Sequence, residues 1–319
     1  AFDNPDATGI TLDGGGHVLD AAGTGTALAF QRGTVAEVRD ITITGGAGSY
    51  GPDGHSGGGI FNMGALTVSD ATISGNSAKN GAGIFNYAGE AGSASLTLTD
   101  VAVIDNDAAD SGGGVAAFGA TGEATTAIAD SVINGNDAVN YGGGIANFGQ
   151  SGSATLTLDN TTLDGNSSFL GAGIFNNGNN GEATATIDRS TLSNNVAGDS
   201  GGGLFNNGNL GGAKVSLTNS TVSGNSATSS GGGITNSANL GTAAMTLRFV
   251  TFAGNAAKNG GGFYNAPGGD ADAAATIFAA GSIGKACLFG GGTTLTSNGY
   301  NLDVDGSCGL SGTGDVPNG

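Results

Sequence analysis

Carboxylates at regular intervals are the first residues in this chain that could do chemistry. Asp40, Asp70, Asp100 and Asp130 recur every thirty residues, and Asn160, Arg189 and Asn219 continue the series. A facing pair, for example Asp100 and Asp130, would suit hydrolysis of a glycosidic bond, which needs two carboxyl groups roughly 5–10 Å apart. One carboxylate per repeat, replaced later by amide and guanidinium, is better explained by Asx-type turns that cap backbone N–H groups. The only histidines, His17 and His55, stand outside the regular units. No Ser-His-Asp, Cys-His or phosphate-cradling signature occurs. No catalytic residue is therefore assigned, and polysaccharide cleavage stands as the competing class.

Other groups could bind. Asn301, Asp303 and Asp305 alternate ahead of Gly306, as in the first half of an EF-hand loop, and that set would take calcium. The position of the distal Glu is Gly312, so a solvated turn held by Cys308 is the other reading. Asp270 and Asp272 form a weaker pair of the same kind. Thr97 and Thr99, Thr155 and Thr157, and Thr184 and Thr186 form Thr-x-Thr steps, expected to point outward in columns with Ser95, Thr125, Ser216, Thr218 and Thr246. A flat Thr array could order water and bind ice. Thr is also a favoured outward strand residue, and Ala127, Lys214 and Arg248 interrupt the array. Phe61, Phe85, Phe175, Phe205 and Tyr264 form an outward stripe. It would stack on sugar rings or a partner protein, or lie under the variable loops 87–93 and 177–181.

Charge narrows the partners. Twenty-six acidic residues against eight basic ones leave a net charge of −18, which opposes nucleic acid and anionic membranes. No apolar run approaches the ~20 residues of a membrane span. No signal peptide is in view, so Ala1 is read as following a processing boundary. Cys287 and Cys308 would pair in an extracellular setting; two buried thiols are the alternative. The 66 glycines lack a three-residue period, which excludes collagen.

The elements that position these residues come from a repeat. A Gly-Gly/Ala-Gly block followed by a hydrophobe has its third glycine at 59, 83, 114, 144, 173, 203, 233 and 262. After the first short step the spacings are 31, 30, 29, 30, 30 and 29. A second block, centred on Asn76, Asn106, Asn136, Asn166, Asn195, Asn225 and Asn255, keeps step with it. Each unit holds three short alternating segments, such as 83–86, 95–99 and 101–103, with Gly, Asn and Asp between them. Such strands bury a face only by stacking on the next unit, ~4.8 Å away. The predicted fold is all-β: a right-handed parallel β-helix, or β-solenoid, with three short strands per coil and about ten coils of ~30 residues.

Three inward columns follow. They are Ile60, Ile84, Val115, Ile145, Ile174, Leu204, Ile234 and Phe263; Leu98, Ile128, Leu158, Ile187, Leu217 and Leu247; and Ile73, Val103, Ile133, Leu163, Leu192, Val222 and Phe252. The second-block asparagines are expected to form an inward ladder of stacked amides. Asn62, Asn86, Asn147, Asn176, Asn206, Asn236 and Asn265 form a less complete one. The chain is read as one domain, 1–319: irregular coils over 1–46, regular repeats over 47–265, and a C-terminal coil and cap over 266–319. Ile10, Leu12, Val18 and Leu28 are assigned to an early coil, and residues 48–56 to a loop insertion.

Gly58-Gly59-Ile60-Phe61-Asn62 with Ser74-Gly75-Asn76-Ser77, and its later copies, resembles the repeats of chlamydial polymorphic membrane proteins. The tail Asn298-Gly299-Tyr300-Asn301-Leu302-Asp303, then Asp305-Gly306-Ser307-Cys308-Gly309, resembles bacterial right-handed β-helix surface proteins of the choice-of-anchor type. Family chains usually continue past the point matching residues 315–319. The resemblance implies secretion, surface attachment and adhesin-like roles. The expectation is a secreted or cell-surface β-helix segment that presents a surface to a glycan, another surface or a protein.

Overall fold

The computed structural model describes residues 9–279 and 281–319; Ala1 lies outside them. Among these residues there is no helix, and the chain winds into a parallel β-helix of about nine turns. The first sheet stacks ten strands, from Leu28–Phe30 through Ile84–Tyr87 to Cys287–Phe289. A second sheet of nineteen strands runs from Ile10–Asp20 to Val316–Pro317. A third, of six strands, runs from Ser77–Asn80 to Ser226–Ala227.

The stacking follows from the repeat. Ile84 pairs with Val115, Val115 with Ile145 and Ile145 with Ile174, all fully buried. Leu28 and Cys287 extend this column at its two ends. The other two predicted columns are buried in the same core. A fourth column was not legible in the sequence: Leu66, Leu96, Thr126, Leu156, Ala185, Val215 and Met245 stand in register and are buried. Its residue types vary too much to read as a series. Each large aliphatic side chain contributes about 1.5–3 kcal/mol on burial.

Sequence and structure part at three places. The predicted second and third strands of a coil belong to one sheet and run on as a single strand in Ser93–Ile104. The third sheet instead follows the Asn of the second block. The join is the acidic column: Asp40, Asp70, Asp100, Asp130, Asn160, Arg189 and Asn219 all have φ between 46° and 56°. These residues bend the sheet without breaking it. What the column shares is left-handed backbone, which Asp and Asn enter more readily than most residues. Arg189 and Phe249 adopt it too, so the coil geometry imposes the angle. Val18 is the third difference. Two extra residues between Asp13 and His17 shift the register, so Leu19 pairs with Ile43 and Val18 is 62% exposed.

Both amide ladders form. In the first, each Nδ2 donates to the Oδ1 of the next coil's asparagine, from Asn76 to Asn255, at 2.9–3.0 Å. The second runs at 2.8–2.9 Å and breaks at Ala117. There Asn86 Nδ2 donates to the Thr126 hydroxyl at 3.2 Å, and the buried Asn147 Oδ1 has no hydrogen-bond partner. Thr126 replaces an aliphatic residue of its column at this coil alone, so its hydroxyl answers the missing amide on one side. A third ladder was not foreseen. Backbone N–H groups of Val101, Thr161 and Ser190 donate to the hydroxyls of Ser131, Ser190 and Ser220 in the next coil.

The Ala117→Asn variant is expected to be more stable than the parent by about 1–2 kcal/mol, because a buried acceptor gains its donor. Asn147 coexists with Leu156 in the next coil, so an amide at 117 has room beside Thr126. Urea denaturation checks this: the midpoint should rise with the slope unchanged.

At the C-terminal end the rungs shrink to Thr296–Ser297, Leu302–Asp303 and Val316–Pro317. Cys287 and Cys308 are disulfide-bonded, with Cα atoms 4.9 Å apart and both side chains buried. The bridge closes the core where the aliphatic column ends. The loop 48–56 is a small hairpin in which Tyr50 and Ser56 exchange backbone hydrogen bonds.

Candidate functional site

The outward stripe of the first sheet is mostly covered. Phe61, Phe85 and Phe175 are 2% exposed or less, and Phe205 is half-buried. Where Ala116 and Ala146 replace the ring in that column, Phe118, Phe148 and Tyr141 fill the space. Rings then touch from one coil to the next: Tyr50 on Phe61 at 5.2 Å, Phe85 against Phe118 at 5.0 Å, Phe118 against Phe148 at 4.7 Å, and Tyr141 on Phe175 at 4.8 Å. The stripe is a second apolar layer outside the helix, sealed by its own rings and by the 48–56 hairpin. Free rings for stacking on a sugar are therefore not what Phe61, Phe85 and Phe175 supply.

At its N-terminal end this layer opens into a pocket of about 500 Å³, lined by Gln31, Arg32, Tyr50, Met63, Tyr87 and Glu90 among others. Tyr50 reaches it from the hairpin, and Tyr87 from the end of its strand. Each leans on a buried ring, Tyr50 on Phe61 and Tyr87 on Phe85, in near-parallel stacks with centroids 5.2 and 5.4 Å apart. Arg32 donates to the backbone carbonyls of Glu90 and Ala88 at 3.1 and 3.2 Å. These acceptors are neutral, so they position the guanidinium without cancelling its charge. No contiguous motif marks this site, because its residues come from three coils and one insertion.

The threonines face outward in columns set by the strand pairing, with Ala127 and Lys214 interrupting them. Thr155 pairs with Thr184 and Thr157 with Thr186. Thr97 shares the column of Thr157 with Ala127 between them, whereas Thr99 stands in line with Ala129 and Asp159. The three Thr-x-Thr steps are thus not one two-column array. A bulge-free sheet fixes register by strand pairing, not by motif similarity.

Asn301, Asp303 and Asp305 are engaged within the cap. Asn301 Oδ1 accepts from the Thr276 N–H at 3.0 Å, and its Nδ2 donates to Ala273 O and Ser297 Oγ. Asp303 is fully buried and accepts from the Cys308 N–H at 2.7 Å. Asp305 accepts from the N–H groups of Ala286 and Ser307. Among the described residues, no group of three or more His, Cys, Asp or Glu side chains is gathered around a point that could hold a metal ion. Asp40, Asp70, Asp100 and Asp130 are exposed, one per coil.

Burial would raise the Asp315 carboxyl, but hydrogen bonds from Ser297 and from the Asn301 and Gly312 N–H groups hold it below its ordinary value. Asp305 is likewise lowered: burial opposes ionisation, and bonds from Ser307 and the Ala286 N–H outweigh it. The stability these two contribute is present above an unfolded value of about 3.8 and is lost as pH falls through their lowered values. Asp303 is raised, by burial first and by the adjacent Asp305. Its contribution is present below about 3.8 and is lost as pH rises through its raised value. The cap is therefore expected to be most stable in mild acid and to weaken on both sides. Hydrogen exchange over 301–316, corrected for intrinsic rates, checks this. Asp315→Asn should flatten the acid limb, and Asp303→Asn the opposite one.

No family model, no curated protein and no solved structure matches this chain.

Proposed function

We propose that this chain is an extracellular, non-enzymatic β-helix that acts as a rigid scaffold and presents a binding face to a glycan, a surface or a protein. One observation carries the reading: the carboxylates recur once per coil on an exposed corner, at backbone angles that explain their presence without chemistry. Neighbours in this column stand one strand spacing apart, so their distance alone does not separate structure from catalysis; the reading rests on the shared left-handed backbone, which Asn160, Arg189 and Asn219 keep without a carboxylate. The disulfide supports an oxidising compartment. The resemblance of the repeats and tail to bacterial surface proteins supports display at a cell surface. The net charge of −18 suits a secreted scaffold that must stay soluble.

The test is a binding screen of the whole chain against printed glycans and extracellular-matrix proteins. It is run with and without calcium and paired with an assay for newly released reducing ends. Binding without release is the expected result. Catalytic release of reducing ends would replace this reading with a polysaccharide-cleaving one. Thermal hysteresis in ice, with no binding in the screen, would replace it with the ice-binding one.

A further inference from the structure

We propose that the pocket between Tyr50 and Tyr87 is a subsite for one neutral hexopyranose residue of a glycan. This rests on the display reading above and names the ligand chemistry of one place on its surface. Three features point the same way.

The first is the walls. Tyr50 and Tyr87 line the pocket while each is backed by a buried phenylalanine. The backing fixes the ring planes, so little side-chain freedom is lost when the C–H face of a pyranose packs on them. The stripe is covered elsewhere, and here the rings that cover it are themselves open to a concave space. At about 500 Å³, that space falls within the range of small-ligand pockets, roughly 300–1,000 Å³.

The second is the polar set. Arg32 supplies donors in a fixed orientation, because two backbone carbonyls hold its guanidinium. Glu90 supplies an acceptor and Gln31 supplies both. Adjacent hydroxyls of a sugar each donate and accept, and a lining that holds both donors and acceptors matches them. An apolar ligand would leave these groups unpaired.

The third is charge. Arg32 and Glu90 line the same pocket and balance each other locally. The chain as a whole carries −18, which repels a uronate or sialate. Neutral rings are favoured over acidic ones.

The experiment uses a printed array of glucose-, galactose- and mannose-terminated oligosaccharides beside uronate-terminated ones, followed by calorimetry on the strongest neutral ligand. Binding to neutral termini is expected. Tyr87→Ala should weaken it at least fivefold. Because that change could loosen the stripe, Glu90→Ala is the fold-neutral arm: its side chain is exposed, and it too should lose fivefold or more at an unchanged melting temperature. Thr157→Lys, on the second sheet, should change nothing. If the chain binds a glycan and neither Glu90→Ala nor Tyr87→Ala weakens that binding, the display reading stands and the pocket is overturned; loss with Thr157→Lys would place the site on the second sheet instead. Preference for uronate termini overturns the charge argument and the proposal with it. If no glycan binds but a matrix protein does, the proposal alone fails; if nothing binds, both fail.

Discussion

Asn166→Ala is expected to destabilise the protein by about 4 kcal/mol, since each buried polar group left unpaired costs about 1–3 kcal/mol. The Asn166 side chain lies mid-ladder and is fully buried. Its Oδ1 accepts from both the backbone N–H and the Nδ2 of Asn136, each at 3.0 Å. Its Nδ2 donates to Ile133 O at 3.0 Å and to Asn195 Oδ1 at 2.9 Å. Truncation removes all four bonds, and no water-exposed route replaces them. In a solenoid each coil is coupled to its neighbours alone, so the loss should appear locally. Hydrogen exchange should accelerate from the coil of Asn136 to that of Asn195 and leave the distant coils slow. Thr157→Ala, on the exposed face between the same coils, should shift the urea midpoint by less than the equivalent of about 0.5 kcal/mol. Equal effects from the two variants would mean that the ladder is not what holds the coils together.

Gly173→Val should abolish folding of the soluble protein, or reduce stability by more than about 4 kcal/mol, the range reserved for severe core strain. A Cβ at this position would lie 2.4 Å from Gly203 O and 3.2 Å from Asn195 Nδ2. The next coil cannot retreat, because the Gly173 and Ile174 N–H groups donate to it at 3.0 Å on both sides of the contact. Gly165 makes the comparison. Its φ is 63°, and its own Cβ would meet only Asn134 Oδ1, at 3.2 Å. Asp105 and Asn194 occupy the equivalent place in other coils at φ near 50°. Gly165→Asn should therefore fold with a loss of no more than about 1 kcal/mol. Circular dichroism of the soluble fraction and thermal melts separate the two outcomes.

These glycines also show how far the repeat could be read. The third glycine is glycine in all eight copies, and the contact with the next coil is the reason. The Gly165 place varies among Gly, Asp and Asn, because only φ is demanded there. The carboxylate column was legible as a column, but the sequence suggested a capping turn where the structure has left-handed backbone. Both meanings attract Asp and Asn, so residue type alone does not separate them. The candidate pocket was out of reach for another reason. Arg32, Tyr50, Tyr87 and Glu90 are ordinary residues at unphased positions, and only the winding brings them together.

The thirty-residue spacing is enough to tell that equivalent positions stack, which residues point inward and where the amides line up. Those properties depend on one coil and its nearest neighbour, and the sequence states that relation eight times over. Tertiary structure alone decided what depends on the departures from the repeat. Two extra residues near Gly15 turn Val18 outward, a missing amide at Ala117 draws a hydroxyl into the core, and a hairpin folds Tyr50 over the aromatic layer. A departure has no second copy to be compared with, so its consequence is set by the packing around it.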